Sequence, residues 1–184
     1  MAAYKVGYIV GSLARASINR KLSKALVRLA PAGLELTEIP IRDLPLYSYD
    51  YDADFPVSAR AYKKALEESQ ALLFVTPEYN RGIPGGLKNA IDWGSRPKKA
   101  NAFVHKPSAV IGASPGKIGT AVAQRELHSV LGAVASPQMV SPEAYIQFTP
   151  DLIDDEGNVA DEKTKEFLAK FLAAFQKFLD KQLA

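Results

Sequence analysis

ALLFVT, residues 71–76, is an unbroken apolar run that stops at Pro77. Continuous hydrophobicity over about six residues is typical of a parallel strand that is covered on both faces. The polar stretch PEYN follows directly, and a glycine-rich segment then leads into a helical pattern over residues 84–93. This order of strand, loop and helix is the repeating unit of a parallel α/β sheet.

Strand signals and helical periodicity alternate through the rest of the chain in the same order. The other predicted strands cover residues 4–10, 34–39, 107–113 and 136–140. The other predicted helices begin after a cap at Ser17 or Asn19, cover residues 57–69 and 119–131, and follow Asp161. The pattern predicts one α/β domain over residues 1–184, with a doubly wound, five-stranded parallel sheet and helices on both faces.

Composition narrows the chemistry that the side chains can perform. The chain has no cysteine, which excludes disulfides, thiolate nucleophiles and cysteine-ligated metals. His105 and His128 stand in no metal-ligand pattern, so no metal site is predicted. Any redox chemistry must therefore come from a bound cofactor.

The net charge and the first ten residues of the chain indicate its partners and its location in the cell. Lys and Arg outnumber Asp and Glu by 23 to 20 without forming a basic stripe, which argues against nucleic acid as a partner. The early apolar run at residues 4–10 contains Lys5 and is too short for a signal peptide or a membrane span. We therefore expect a cytoplasmic protein that does not bind membranes and whose partners are small molecules.

The loop after the first strand has the composition of a phosphate site. GSLARASIN, residues 11–19, combines a tight-turn glycine with two serines, Arg15 and an asparagine ahead of a helix start. Free backbone N–H groups and the positive end of the helix dipole favour a phosphate monoester there. The segment has neither the P-loop nor the dinucleotide glycine pattern. An ordinary polar turn with a serine cap fits the spacing equally well.

Two further loops follow strands at the same edge of the sheet, where ligands bind in open parallel sheets. After the central strand come a carboxylate, an aromatic ring and an amide, which together suit a planar heterocycle. The alternative is a structural turn whose tyrosine faces solvent. Ser114, Pro115 and Gly116 end the fourth strand.

These three loops resemble those of the NADPH-dependent FMN reductase family, which includes chromate and quinone reductases. The first loop resembles that family's G-S-x-R-x-x-S-x-N phosphate loop, and PEYNRGIPGGLKNAIDWGSRP, residues 77–97, is close to the family signature. The third loop, SPG, also matches. The resemblance spans nearly the whole chain and implies a flavodoxin-like fold, FMN as cofactor, NADPH or NADH as electron donor, and a homodimer or homotetramer.

The resemblance also implies which positions hold the flavin. Ser12, Ser17 and Asn19 correspond to the phosphate ligands, with Arg15 beside them, and the second and third loops correspond to the lining of the isoalloxazine ring. The cofactor-binding residues expected in those two loops are Pro77, Glu78, Tyr79, Asn80, Ser114, Pro115 and Gly116.

The chain departs from the family pattern at two places. The family's arginine of the phosphate loop falls on Ala14, with Arg15 as its neighbour. Loss of that bidentate cation weakens phosphate binding by about 1–3 kcal/mol unless Arg15 takes its place. Val122 and His128 stand where the family often has arginines, which bears on the family's subunit contacts.

The expected activity is NAD(P)H-dependent reduction of quinones, metal oxyanions or similar acceptors through bound FMN. No catalytic acid or nucleophile is required, because the cofactor supplies the chemistry. Arg96 is a candidate for an anionic group of the substrate, and a structural salt bridge is the alternative. A non-enzymatic electron carrier or flavin-dependent sensor is the second hypothesis, although the sequence pI of about 9.0 differs from the strongly acidic flavodoxins. A family member that has lost flavin is the third, supported by Ala14 alone.

Overall fold

The computed structural model describes residues 2–184, in which strands and helices alternate. The predicted central strand is β3, and all five of its residues are buried. The strands are β1 (Tyr4–Val10), β2 (Leu34–Glu38), β3 (Ala71–Val75), β4 (Ser108–Ser114), β5 (Gln138–Met139) and β6 (Tyr145–Gln147). The helices are α1 (Ile18–Leu29), α2 (Val57–Glu68), α3 (Gly85–Gly94), α4 (Ala121–Ala133) and α5 (Glu162–Gln182).

The strands pair in parallel in the order β2-β1-β3-β4-β5, with β6 also paired to β4. This is the flavodoxin-like order of a doubly wound sheet, so the predicted fold class is confirmed. The order reverses between β1 and β3, where Val10 lies beside Val75 in the register of the two strands. The carboxyl ends of these strands therefore open the crevice in which such folds bind ligands.

Alternate residues of the central strand face two separate apolar layers. Leu73 and Val75 pack with α1 and α5, whereas Leu72 and Phe74 pack with α2, α3 and α4. The aromatic stripe of α5 contributes Phe171 to the first layer, as core packing predicts. The sheet is therefore covered on both faces, and a ligand site is expected at the carboxyl ends of its strands.

The last strand of the sheet is divided in two, which the sequence pattern did not predict. β5 pairs with the start of β4 at Ser108 and Ala109, and β6 pairs with its end, where Ser114 lies beside Gln147. The sheet thus has six strands rather than five. Only Ile146 of β6 is buried, so a three-residue strand inside an irregular stretch gives too little alternation to be recognised.

The long connection over residues 40–56 is fixed to α3 through the family signature. Asn89 accepts a hydrogen bond from the Tyr47 N–H (2.8 Å) and donates one to the Pro45 carbonyl (2.9 Å). The buried Trp93 indole donates to that same carbonyl at 2.7 Å. The aromatic ring of Tyr47 lies edge-on to Trp93, with centroids 5.1 Å apart. These signature residues therefore hold the connection in place.

Among residues 2–184, no helix is long and apolar enough to cross a membrane.

Candidate functional site

The three loops predicted to hold a ligand meet in one cleft of about 230 Å³ at the carboxyl edge of the sheet. Each loop contributes to its wall, although the loops are separated by more than 30 residues along the chain. The lining residues are Ser12, residues 16–19, residues 77–79 and residues 113–115.

The first loop presents unpaired backbone donors at the start of α1. Ser17 is the N-cap, its hydroxyl accepting from the Arg20 N–H at 3.4 Å. The N–H groups of Ile18 and Asn19 precede the first intrahelical bonds and have no partner among the described residues. Ser12 is 4% exposed, and its hydroxyl accepts from the Ala14 N–H at 3.4 Å. The loop therefore has the free donors and the dipole that favour an anion.

The side chain of Asn19 has a structural partner that the sequence did not reveal. Its amide donates to the Ala113 carbonyl and accepts from the Ala113 N–H, both at 2.9 Å. Asn19 is fully buried, and Ala113 is the residue before Ser114 of the third loop. Asn19 therefore joins the first loop to the third, and only its backbone N–H remains available to a ligand.

Arg15 lies beside the cleft rather than in its wall. It lines a small adjoining hollow of about 50 Å³ together with Ser17, Arg20, Lys21 and Lys24 of α1. Arg20 is paired with Glu38 at 2.8 Å, and Lys21 with Asp155 at 2.9 Å. The hollow is a cationic region at the phosphate end of the cleft, and Arg15 belongs to it.

Glu78 lines the cleft, and its carboxylate caps a neighbouring helix. One carboxylate oxygen accepts from the N–H groups of Val122 and Ala123, both at 3.1 Å, in the first turn of α4. The other lies 3.0 Å from a guanidinium nitrogen of Arg81. The side chain is 7% exposed. Because Thr120, the N-cap of α4, makes no side-chain cap, Glu78 performs that role from the second loop.

A tight turn follows Glu78 and carries its aromatic and amide neighbours. Tyr79 and Gly82 exchange backbone hydrogen bonds of 3.0 Å, and both residues between them have positive φ, 52° at Asn80 and 66° at Arg81. Two positive φ values define a type I′ turn, in which asparagine is favoured and arginine is not. Tyr79 is 50% exposed, so its ring is available at the mouth of the cleft.

The third loop turns sharply at the end of β4. The Ser114 hydroxyl accepts from the Gly116 N–H at 3.1 Å, and the Ser114 carbonyl accepts from the Phe148 N–H at 2.8 Å. Pro115 and Gly116 are exposed. This loop therefore lines the cleft and is also hydrogen-bonded to Phe148, which follows β6.

Of the predicted site residues, Arg96 lies outside the cleft, and Asn80 and Gly116 line an adjoining one. Arg96 follows α3, a ten-residue helix of about 15 Å that leads back from the carboxyl edge of the sheet. Its guanidinium lies 5.7 Å from the ring centroid of Tyr47, in a cation–π contact. His128 is hydrogen-bonded through Nδ1 to Gln138 at 2.6 Å, so it links α4 to β5.

Two residues that the sequence reasoning missed support the loops from behind. A Glu126 carboxylate oxygen accepts from the Ile83 N–H at 2.8 Å, which fixes the end of the second loop to α4. Arg42 donates from its guanidinium to the Leu13 carbonyl in the first loop. Neither residue stands in a motif, and their partners are 43 and 29 positions away, so no local signal identifies them.

The donor set fits a phosphorylated planar ligand. Free N–H groups and cations lie at one end of the cleft, and the exposed Tyr79 lies at the other with Glu78 and Ser114. The arrangement has the groups needed to bind and orient a phosphorylated cofactor.

Comparisons with known proteins agree with this geometry. The NADPH-dependent FMN reductase family model matches residues 4–151. A 2-hydroxy-1,4-benzoquinone reductase of Burkholderia sp. is 46% identical over 170 residues, covering 92% of this chain and 93% of the relative. A quinone reductase of Pseudomonas putida is 46% identical over 173 residues, covering 94% and 92%.

A solved structure extends the agreement to three dimensions. FerB, a flavoenzyme NAD(P)H:(acceptor) oxidoreductase from Paracoccus denitrificans, superposes with a TM-score of 0.94 at 46% identity, covering 98% of this chain and 99% of FerB. Sequence and structure therefore agree over nearly the whole chain. The chain belongs to the NADPH-dependent FMN reductase family.

Proposed function

We propose that this chain is an FMN-dependent NAD(P)H oxidoreductase that reduces quinones, with the flavin held by the three loops of the cleft. The observation that carries the proposal is the convergence of these loops on one cleft whose two ends differ in chemistry. Family membership supports FMN as the cofactor and a reduced nicotinamide as the electron donor.

The phosphate end of FMN fits the start of α1. The free N–H groups of Ile18 and Asn19 and the hydroxyls of Ser12 and Ser17 would surround a phosphate monoester, with the cationic hollow of Arg15 beside it. A phosphate is favoured there by the helix dipole and by charge-assisted hydrogen bonds. This end therefore anchors the cofactor.

The ring end fits the second and third loops. Pro77 and Tyr79 offer apolar and aromatic surface, and Glu78 and Ser114 contribute backbone polar groups for the edge of a heterocycle. When bound, FMN supplies the two-electron chemistry by which a reduced nicotinamide is oxidised and an acceptor reduced. The protein's own part is to hold the ring and leave one face open to the two substrates in turn.

A quinone is the proposed acceptor because two relatives of nearly the same length are named for quinone reduction. Neither NADH nor NADPH is favoured by a residue of the cleft. The mouth of the cleft is open, which is consistent with metal oxyanions or other oxidants as additional acceptors.

The deciding experiment is an absorption spectrum of freshly purified protein, followed by oxidation of NADH and NADPH with a quinone present. We expect a yellow protein with flavin bands and quinone-dependent oxidation of at least one donor. A yellow protein inert to both donors would identify a carrier or sensor instead. A colourless protein that leaves the fluorescence of added FMN unchanged would remove flavin from the function.

Restoring arginine at position 14 tests the phosphate end. Because Ala14 is exposed and leaves the family's cation missing, A14R should tighten FMN binding by about 5- to 30-fold, or about 1–2 kcal/mol. Fluorescence titration of the flavin-free protein measures the FMN dissociation constant. Riboflavin, which has no phosphate, is the matched control and should bind the variant as it binds the original chain. If A14R tightened the binding of FMN and riboflavin equally, this loop would not be the phosphate site.

Asn80 tests the border of the ring end, because it does not line the first cleft but lines an adjoining one that shares Glu78 and Ser114 with it. N80G keeps the positive φ of the turn and removes the amide, so we expect FMN to bind about tenfold more weakly while the unfolding free energy changes by less than about 0.5 kcal/mol. N80A is the less suitable variant, because alanine at this φ adds about 1 kcal/mol of strain. Unchanged flavin affinity in N80G would remove the Asn80 side chain from the site.

Self-association is also proposed, as the family resemblance implies. The connection between β2 and α2, together with the first residue of α2, exposes large apolar side chains, with Leu46 82%, Tyr49 79% and Val57 76% exposed. Contiguous exposed apolar surface favours association with another protein surface. Sedimentation velocity of the flavin-loaded protein would give a dimer or tetramer, and a monomer at micromolar concentration would contradict this.

A further inference from the structure

A second cleft of about 410 Å³ adjoins the first at its ring end. The two clefts share Glu78 and Ser114 in their walls, so a molecule in the second lies against whatever occupies the first. The first is assigned above to the cofactor, which makes the second the place where a substrate approaches. Its lining residues are Glu78, Asn80, Arg81, Ser114 and residues 116–119.

The second cleft carries two cations and one compensated carboxylate. Arg81 is 68% exposed and uses one terminal guanidinium nitrogen on Glu78, and its other terminal nitrogen has no hydrogen-bond partner among residues 2–184. Lys117 is exposed and forms no ion pair within the same residues. Glu78 has one oxygen committed to the start of α4. The cleft therefore presents an excess of positive charge to a ligand.

The backbone at Arg81 supports a role for this side chain. Its φ of 66° belongs to the left-handed region, where glycine is the residue of lowest cost in a type I′ turn. A strained residue that projects a charged group into a cleft is a feature of functional sites. The guanidinium also has the planar, forked donors that match a carboxylate or a pair of neighbouring oxygens.

We propose that Arg81 and Lys117 recognise an anionic group on the electron acceptor, so that quinones bearing an ionised hydroxyl, carboxylate or sulfonate are preferred to neutral quinones of similar size. This inference rests on the proposed function. The overall reaction keeps its balance: the nicotinamide loses a hydride, the quinone gains two electrons and two protons, and the second proton comes from solvent. The two cations take no part in the bond changes and act only in binding.

The test compares a neutral and an anionic acceptor, 1,4-naphthoquinone and 1,4-naphthoquinone-2-sulfonate. R81Q and K117Q should each lower kcat/KM for the sulfonate by about 3- to 5-fold, and the double variant by about tenfold, with the neutral quinone unchanged. The kcat/KM of each variant is divided by that of the original chain for the same quinone, so the different reduction potentials of the two quinones cancel. K99Q, which removes an exposed cation from the segment after α3, is the matched control and should leave both values unchanged.

A binding measurement accompanies the kinetics. Calorimetric titration with naphthalene-2-sulfonate, on protein with and without FMN, should show weaker binding in R81Q and K117Q than in K99Q. The FMN dissociation constant of the two variants should stay within about twofold of the original. This arm requires no turnover, so it tests the anion site even if the chain proves inert to nicotinamides.

Several outcomes would overturn the inference. Equal losses for both quinones would make the two residues general supports of the cleft. A weaker FMN dissociation constant with an unchanged ratio of the quinones would assign the cations to the cofactor. Equal losses in K99Q would attribute the effect to net charge alone. Absence of bound flavin would refute the proposed function, whereas unaltered sulfonate binding in the variants would refute this inference.

Discussion

N19A is expected to lower the free energy of unfolding by about 3–4 kcal/mol and to weaken FMN binding more than tenfold. The variant loses both hydrogen bonds to Ala113 and leaves a buried N–H and a buried carbonyl without partners, each at a cost of about 1–3 kcal/mol. The link between the first and third loops is lost with them, so the two ends of the cleft no longer keep their spacing. Urea denaturation and fluorescence titration with FMN measure the two effects.

S23A is the matched control for this variant. Ser23 lies on the same helix and is equally inaccessible at 2% exposure, but its hydroxyl donates only to the Arg20 carbonyl of that helix, at 2.8 Å. We expect S23A to cost less than about 1 kcal/mol and to leave FMN binding unchanged. N19D offers a second variant, since it keeps an acceptor for the Ala113 N–H but faces the Ala113 carbonyl with a carboxylate. An N19A protein as stable as S23A would show that the Asn19 link contributes little.

The elements that the sequence predicts correctly have a signal within a few consecutive residues. The run at residues 71–75 is buried at every position, and the cap expected at Ser17 or Asn19 is Ser17. Both features follow from requirements common to α/β sheets: a central strand is covered on both faces, and the first N–H groups of a helix need an acceptor. β6 escaped prediction because its pairing is decided by its neighbour β4 rather than by its own three residues.

The sequence predicts which loops meet at the cleft, but it does not reveal the structural partners of their side chains. Asn19 and Glu78 both lie at the cleft, as expected, but their side chains bind backbone groups 94 and 44 positions away. A polar residue in a loop looks the same in sequence whether it faces a ligand or another loop. Arg96 shows the same ambiguity. It lies inside the family signature, yet its guanidinium contacts the ring of Tyr47 and does not line the cleft.

Part of the family signature has a structural role. Asn89 and Trp93, which make the signature long and specific, hold the connection between β2 and α2 through the Pro45 carbonyl. The signature therefore contains both the second loop and the residues that hold the connection between β2 and α2. A chain that lost Asn89 would keep the second loop and lose the hydrogen bonds of Asn89 to Pro45 and Tyr47.

E78A is expected to lower the free energy of unfolding by about 2–3 kcal/mol and to weaken FMN binding by tenfold or more. Two N–H groups in the first turn of α4 lose a charged acceptor that is 7% exposed, and a charged cap of this kind is worth about 1–3 kcal/mol. The second loop also loses its attachment to α4, so Tyr79 and Asn80 are no longer held at the cleft. Denaturation curves and FMN titration at a temperature well below the unfolding transition measure the two effects.

Two glutamate variants on the same pair of elements show which property of Glu78 matters. E78Q keeps an acceptor for Val122 and Ala123 without the charge, so it should recover about half of the stability lost in E78A. E126A removes the other glutamate bond to the second loop, which is single and exposed, and should cost about 1 kcal/mol. If E78A and E126A were equally stable and bound FMN equally well, the cap on α4 would be incidental. The second loop would then owe its position to its own turn.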